Sequence, residues 1–175
     1  GVCQATYTAA SSPGSPTLGV TIGGGPVVNS PKTITVSAGT VARLAITGSA
    51  TMTAGGTQTI TITAYDSHGN VASAYTGAHT LVFSGAAVAP YNSTPPTVAG
   101  TALGTGTSLT FVNGSITAAM QLYKAETALI AAVDNASSVN AAGADRLSVT
   151  VSAAALDTSQ SQLSVAATTL AEGGT

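Results

Sequence analysis

Tryptophan is missing from this sequence, cysteine occurs once, and only 6% of the residues are charged. An ordinary soluble domain carries about 25% charged residues. Four basic residues in 175 cannot build a patch that tracks phosphates, so nucleic acid is excluded as a partner. No apolar run approaches the roughly 20 residues of a membrane span, and no membrane span is expected in this segment. The charged heptads of a coiled coil are absent too. A single cysteine, Cys3, rules out an intrachain disulfide framework and a multi-cysteine metal site. Cys3 reads as a small thiol in a strand, because a lipidated cysteine would stand first after processing. Residue 1 is Gly, and no basic, then apolar, leader follows. The chain is therefore expected to be a processed or excised piece of something longer.

What remains is Ala, Thr, Gly and Ser, which together supply more than half of the chain. Ala and Val bury little area per residue, so stability has to come from extensive backbone pairing and many thin contacts. A surface of hydroxyls and methyls with a net charge of −2 suits an extracellular coat or fibre.

The pattern is that of strands throughout. In Thr57–Tyr65, Ile60, Ile62 and Ala64 alternate with threonines, the signature of a half-buried strand. Ser115–Leu122 repeats it with Ile116, Ala118, Met120 and Leu122 on one face, and Arg146–Ser152 with Leu147, Val149 and Val151. Further strands are expected at Leu18–Ile22, Thr33–Val36, Arg43–Ile46, Thr80–Phe83, Ser108–Val112, Thr127–Val133 and Ser161–Ala166. The Ala-rich stretch Tyr123–Val133 is read as strand, with Ala128, Ile130 and Ala132 inward. Turns are expected at Ser67-His68-Gly69-Asn70, Ser84-Gly85 and Ala142-Gly143. Asn113-Gly114, two residues between good strands, reads as a hairpin. A turn about every ten residues points to a sandwich or barrel.

Residues 40–156 hold enough strands for one complete immunoglobulin-like β-sandwich. The run RLAITGSATMTAGGTQTITITAYDSHGNVASAYTG resembles the opening of the tandem immunoglobulin-like repeats of large prokaryotic surface proteins and adhesins. The matching features are the turn Thr53-Ala54-Gly55-Gly56, the strand Thr57–Tyr65, the turn Asp66-Ser67-His68-Gly69-Asn70, and Tyr75-Thr76-Gly77. Residues 6–9 and 30–36 resemble the last strands of an invasin- or filamin-like repeat, and SQSQLSVAATTLAEGGT resembles the first strand of one. The resemblance implies an all-β fold of tandem modules with an incomplete module at each end. Residues 1–39 would be the C-terminal strands of one module, and residues 157–175 a linker and the first strand of a following or donated one. Tyr7, Leu163 and Val165 mark the strands expected to join modules. Two or three strands cannot close a sandwich alone, so the missing partner comes either from a longer tandem array or from a neighbouring subunit by strand addition.

Little chemistry stands out. Asp66 with Asn70 offers oxygen ligands for calcium, but six to eight are needed, and an Asx-type turn accounts for both residues. Asp134-Asn135 and Asp145 are read as turn residues too. His68 and His79 read as exposed loop histidines; with no nucleophile elbow, a Ser-His-Asp relay has no support. In surface proteins of the resembled kind, a buried Lys can crosslink to Asn beside a carboxylate, which would use Lys32 or Lys124 with Asn113 or Asn135. The alternative is an exposed lysine whose stem lies along the strand face. Asn92, Asn113 and Asn135 each open a glycosylation sequon. Tyr7, Tyr65, Tyr75, Tyr91 and Tyr123 read as packing residues rather than a sugar platform, with Tyr75 anchoring a corner.

The expectation is a non-enzymatic structural protein with no cofactor and no metal. It would be a segment of an extracellular filament or adhesin stalk on the cell surface, with itself as main partner. The alternative is a module that binds glycans or a host receptor on such an array.

Overall fold

The computed structural model describes residues 4–155. Two regions differ sharply. The first is a hairpin built from β1 (Thr17–Leu18), β2 (Thr21–Ile22), β3 (Gly25–Pro26) and β4 (Lys32–Thr33). β1 pairs with β4, β2 pairs with β3, and a bridge from Gly14 to Val36 closes its base. Gly23 and Gly24, both at positive φ, make the tip. The strand expected over Leu18–Ile22 is thus split between β1 and β2, and of the one expected over Thr33–Val36 only Thr33 is strand, with Val36 in an isolated bridge. Residues 4–10, which include Tyr7, take part in no strand pairing among the described residues. Leu163, Val165 and the rest of Ser161–Ala166 lie outside the described residues.

The hairpin is amphipathic. Along its first arm Pro16, Leu18, Val20 and Ile22 alternate with Ser15, Thr17, Gly19 and Thr21. The register sets Ile34 opposite Pro16, Val36 opposite Gly14 and Lys32 opposite Leu18, so the face is aliphatic apart from Lys32. Among the described residues no second layer covers that face: Val20 is 57% exposed and Ile22 77%. No residue of the hairpin joins the packed core.

The second region is the sandwich. Its strands are β5 (Arg43–Thr47), β6 (Thr51–Thr53), β7 (Thr57–Tyr65), β8 (Gly77–Ser84), β9 (Thr97–Val98), β10 (Thr101–Ala102), β11 (Gly106–Phe111), β12 (Ser115–Gln121), β13 (Thr127–Asp134), β14 (Asn140–Ala141) and β15 (Leu147–Ser152). One sheet runs β10-β9-β12-β7-β5 and the other β11-β8-β13-β15-β6, with β14 also on β13. The first long strand is broken at Gly48–Ala50, so β5 joins the first sheet while β6 crosses over and pairs in parallel with β15. This division of strands is that of an immunoglobulin-like β-sandwich. The short β9–β10 pair precedes β11 in the chain, although it belongs to the opposite sheet.

Inward alternation builds the core. Leu44, Ile46, Ile60, Ile62 and Ala64 of one sheet face Leu81, Phe83, Ile130, Val149 and Val151 of the other, all buried. Asn113 and Gly114 form the expected turn, both at positive φ. Yet the hairpin lasts for one bridge, Val112 to Ser115. Beyond it β11 pairs with β8 and β12 pairs with β7, so the turn carries the chain from one sheet to the other. A Cβ on Gly114 would lie 2.7 Å from the Ala72 carbonyl oxygen. Gly85 is tighter still: at φ +105° its Cβ would meet the Leu129 oxygen at 1.9 Å. The stretch from Tyr123 is strand only from Thr127 onward. Lys124 and Glu126 sit in the bend before it rather than on a strand face.

Candidate functional site

Three polar side chains stand at the ends of inward rows. The row Ile60, Ile62, Ala64 continues to Asp66; Ala128, Ile130, Ala132 continues to Asp134; and Leu81 and Phe83 are preceded in parity by His79. All three lie at one end of the sandwich, where Arg43 pairs with Asp145 and where the chain from the hairpin enters β5.

Asp134 is wholly buried. Its Oδ2 accepts from the Tyr75 hydroxyl at 2.7 Å, from Ser137 Oγ at 2.8 Å and from His79 Nδ1 at 3.1 Å. Its Oδ1 accepts from the Ala136 N–H at 2.9 Å. Burial alone would raise its pKa, but the Tyr75 hydroxyl, the Ala136 N–H, Ser137 and His79 together hold it down, at about 2. The same burial, reinforced by the Asp134 charge, pushes the Tyr75 phenol well above its ordinary value. Tyr75 stacks on His79 with ring centroids 3.7 Å apart, and Phe111 meets Tyr75 edge-on at 4.8 Å. No buried side-chain polar atom among the described residues lacks a partner. Tyr75 therefore anchors a corner as expected. His79 is corrected from an exposed loop residue to a partner of a buried carboxylate on β8. Asp134 is corrected from a turn residue to the hub of the cluster, although it also caps the turn that follows.

The second group ties the hairpin to the sandwich. Asp66 Oδ1 accepts the N–H groups of His68 and Asn70, both at 2.9 Å, and Gly69 takes positive φ, which is the expected Asx-type turn. Asp66 Oδ2 accepts from Asn70 Nδ2 at 3.0 Å and from the Gly39 N–H at 2.9 Å. Asn70 Nδ2 also donates to the Ser11 carbonyl at 2.6 Å. The Asn70 amide above all, with the three backbone donors, holds the Asp66 carboxyl well below its ordinary pKa against the opposing pull of burial. Both oxygens face N–H donors, an arrangement that leaves calcium no lone pair to take. Among the described residues no cluster of three metal-ligating side chains occurs. A small cavity of about 360 Å3 lies at this junction, between Ala9–Ser11, Val36, Gly39 and Asp66.

Among the described residues neither histidine joins a Ser-His-Asp relay. His68 Nδ1 lies 3.3 Å from Ser67, but Asp66 accepts from the His68 backbone and not from its ring. At the other cluster Ser137 bonds Asp134 directly, and His79 Nε2 lies 3.3 Å from the Thr76 carbonyl oxygen. Lys124 pairs with Glu126 at 3.1 Å. Glu126 is held below the ordinary carboxylate range first by the Ala87 N–H and then by Lys124. No hydrogen bond among the described residues joins Lys32 or Lys124 to Asn113 or Asn135. The three sequon asparagines, Asn92, Asn113 and Asn135, are all exposed in loops or turns. Of the five tyrosines, Tyr75 is core and Tyr65 lies under the Arg43 guanidinium at 4.4 Å, whereas Tyr91 is 98% exposed and so is no packing residue.

No family model and no curated protein matches the sequence. Among solved structures, the Yersinia pseudotuberculosis adhesin InvE aligns with 82% of this chain at 19% identity and a TM-score of 0.45. The alignment takes in 41% of that chain, so the sequence spans less than half of that adhesin's length.

Proposed function

We propose that this chain is a non-enzymatic structural segment of an extracellular filament or adhesin stalk, in which immunoglobulin-like modules follow one another end to end. The observation that carries the proposal is the uncovered apolar face of the Gly14–Val36 hairpin. A two-stranded ribbon is at best marginally stable in water, and an amphipathic one needs a second layer. Here Leu18, Val20 and Ile22 are exposed and Ile34 only half-buried, beside a sandwich that already has its second layer.

The Asp66–Asn70 turn supports the same reading. It fixes the segment before β5 at Ser11 and Gly39, so the hairpin is held at one end of the module. In this scheme neighbouring modules or copies are the main partner, and the cell surface is the location. Strand complementation, with Tyr7, Leu163 and Val165 on the joining segments, is one route; continuity with a further module of a longer chain is the other. Contacts of this head-to-tail kind extend into fibres when their rotation does not close. The cheapness of charge across the surface fits a molecule packed against copies of itself.

Electron microscopy of the native surface assembly tests the proposal. Beaded filaments with density running on past each end of every sandwich are expected. Isolated, compact particles with the hairpin free in solvent would refute it.

A further inference from the structure

The outer face of the second sheet holds an open, shallow trough of about 490 Å3, wide enough for one sugar ring lying on its floor. Its floor is small and apolar, from Val82 on β8 and Ala131 and Val133 on β13. Its rim is Ser84, Asn140 and Arg146. Charge is scarce in this molecule, and among the described residues every charged side chain but Lys32 and Arg146 is engaged. Arg43 pairs with Asp145 and Lys124 with Glu126, while Asp66 and Asp134 accept from N–H and O–H donors on both oxygens. Arg146 makes no ion pair among the described residues. Its Nε donates to the Gly143 carbonyl at 3.3 Å, which leaves the terminal nitrogens of the guanidinium for a ligand.

We propose that this trough binds a carboxylate-bearing sugar unit, a uronic or sialic acid residue of a polysaccharide, with Arg146 as the clamp on its carboxylate. The guanidinium fork matches a carboxylate through two parallel hydrogen bonds. The Ser84 hydroxyl and the Asn140 amide, neither of which bonds another side chain among the described residues, supply the donors and acceptors that ring hydroxyls require. A pyranose ring has room above the Val82, Ala131 and Val133 methyls. An acidic peptide fits less well, because extended peptides bind by adding to an open strand edge. Here β13 is paired on both sides, with β8 through Ala131–Asp134 and with β14 through Ala132 and Val133. The site stands on the sandwich alone and does not depend on the stalk proposal.

Ligand-observed NMR and calorimetry on the intact chain test it, with sialyllactose and trigalacturonate as probes, lactose as the neutral control and triglutamate as the peptide control. Saturable binding of at least one acidic sugar is expected, with lactose weaker by about tenfold or more. Arg146→Gln should remove that preference, Arg146→Lys should keep part of it, and Lys32→Gln should leave it intact. Arg146 is exposed, so thermal unfolding of the variants should match that of the parent. Binding no better than lactose by both acidic sugars, an unchanged preference in Arg146→Gln, or equal binding of triglutamate would each overturn the proposal.

Discussion

The hairpin and the sandwich are written in the same alphabet. Both alternate threonine with aliphatic residues, as in Leu18-Gly19-Val20-Thr21-Ile22 and in Thr59-Ile60-Thr61-Ile62-Thr63. Their outcomes differ: Ile60 and Ile62 are fully buried, whereas most of Ile22 faces solvent. Period-two alternation specifies a strand and its apolar face, but it does not supply the layer that covers the face. In the sandwich that layer is the second sheet. In the hairpin no such layer is present among the described residues, and this asymmetry is what the proposed function rests on.

The comparison breaks most visibly in a matched pair of truncations. Ile62→Ala should cost about 2–5 kcal/mol of unfolding free energy. Ile22→Ala should stay within about 0.5 kcal/mol in the dilute chain. Chemical denaturation of both variants measures the difference, and a large cost at Ile22 would mean that its face is already covered.

The next effect is electrostatic. Asp134→Asn keeps the shape of the buried hub but loses the charge that accepts from Tyr75, His79 and Ser137, and should cost about 1–3 kcal/mol in a thermal melt. The same carboxylate makes the sandwich sensitive to acid. Its pKa falls from 3.8 to about 2 on folding, so its stabilisation, roughly 2 kcal/mol, is complete above the unfolded value and disappears as pH drops through about 2. Asp66 is shifted in the same direction. Residues 4–39 contain no carboxylate side chain. Acid titration should therefore weaken the sandwich and its grip on Gly39, without altering any charge of the hairpin itself.

A smaller effect sharpens the junction between the two regions. Asn70→Ala removes the bonds to Ser11 and to Asp66 Oδ2. Small-angle scattering of the dilute chain should then report a larger radius of gyration, while the melting temperature moves by no more than about 2–4 °C. An unchanged radius would show that the hairpin is held by something else.

Much of this fold was legible in the sequence. The bounds of β7 and the inward rows of β12, β13 and β15 follow directly from alternation, and the turns at Gly55, Gly69 and Gly114 follow from their residues. The change of sheet at Asn113-Gly114 did not follow, because turn chemistry fixes the local backbone and not the sheet that each arm joins. The short strands β6, β9, β10 and β14 carry too few residues for a periodic signal. The polar cluster was missed for a different reason. Residue type reads Asp66 and Asp134 as turn formers, which both are, but parity also sets them on the inward rows of Ile62 and Ile130. His79 shares the parity of Leu81 and Phe83. Extending each row by one step past its last apolar residue finds all three.

The most direct measurement is amide hydrogen exchange, resolved by residue, on the dilute chain and on the native assembly. Amides of Thr57–Tyr65 should be strongly protected in both. The hairpin amides of Val27, Ile34 and Val36, which donate to Val20, Pro16 and Gly14, should exchange almost freely in the dilute chain and slow by about a hundredfold or more once neighbours cover them. Equal protection of the hairpin in both states would contradict the account.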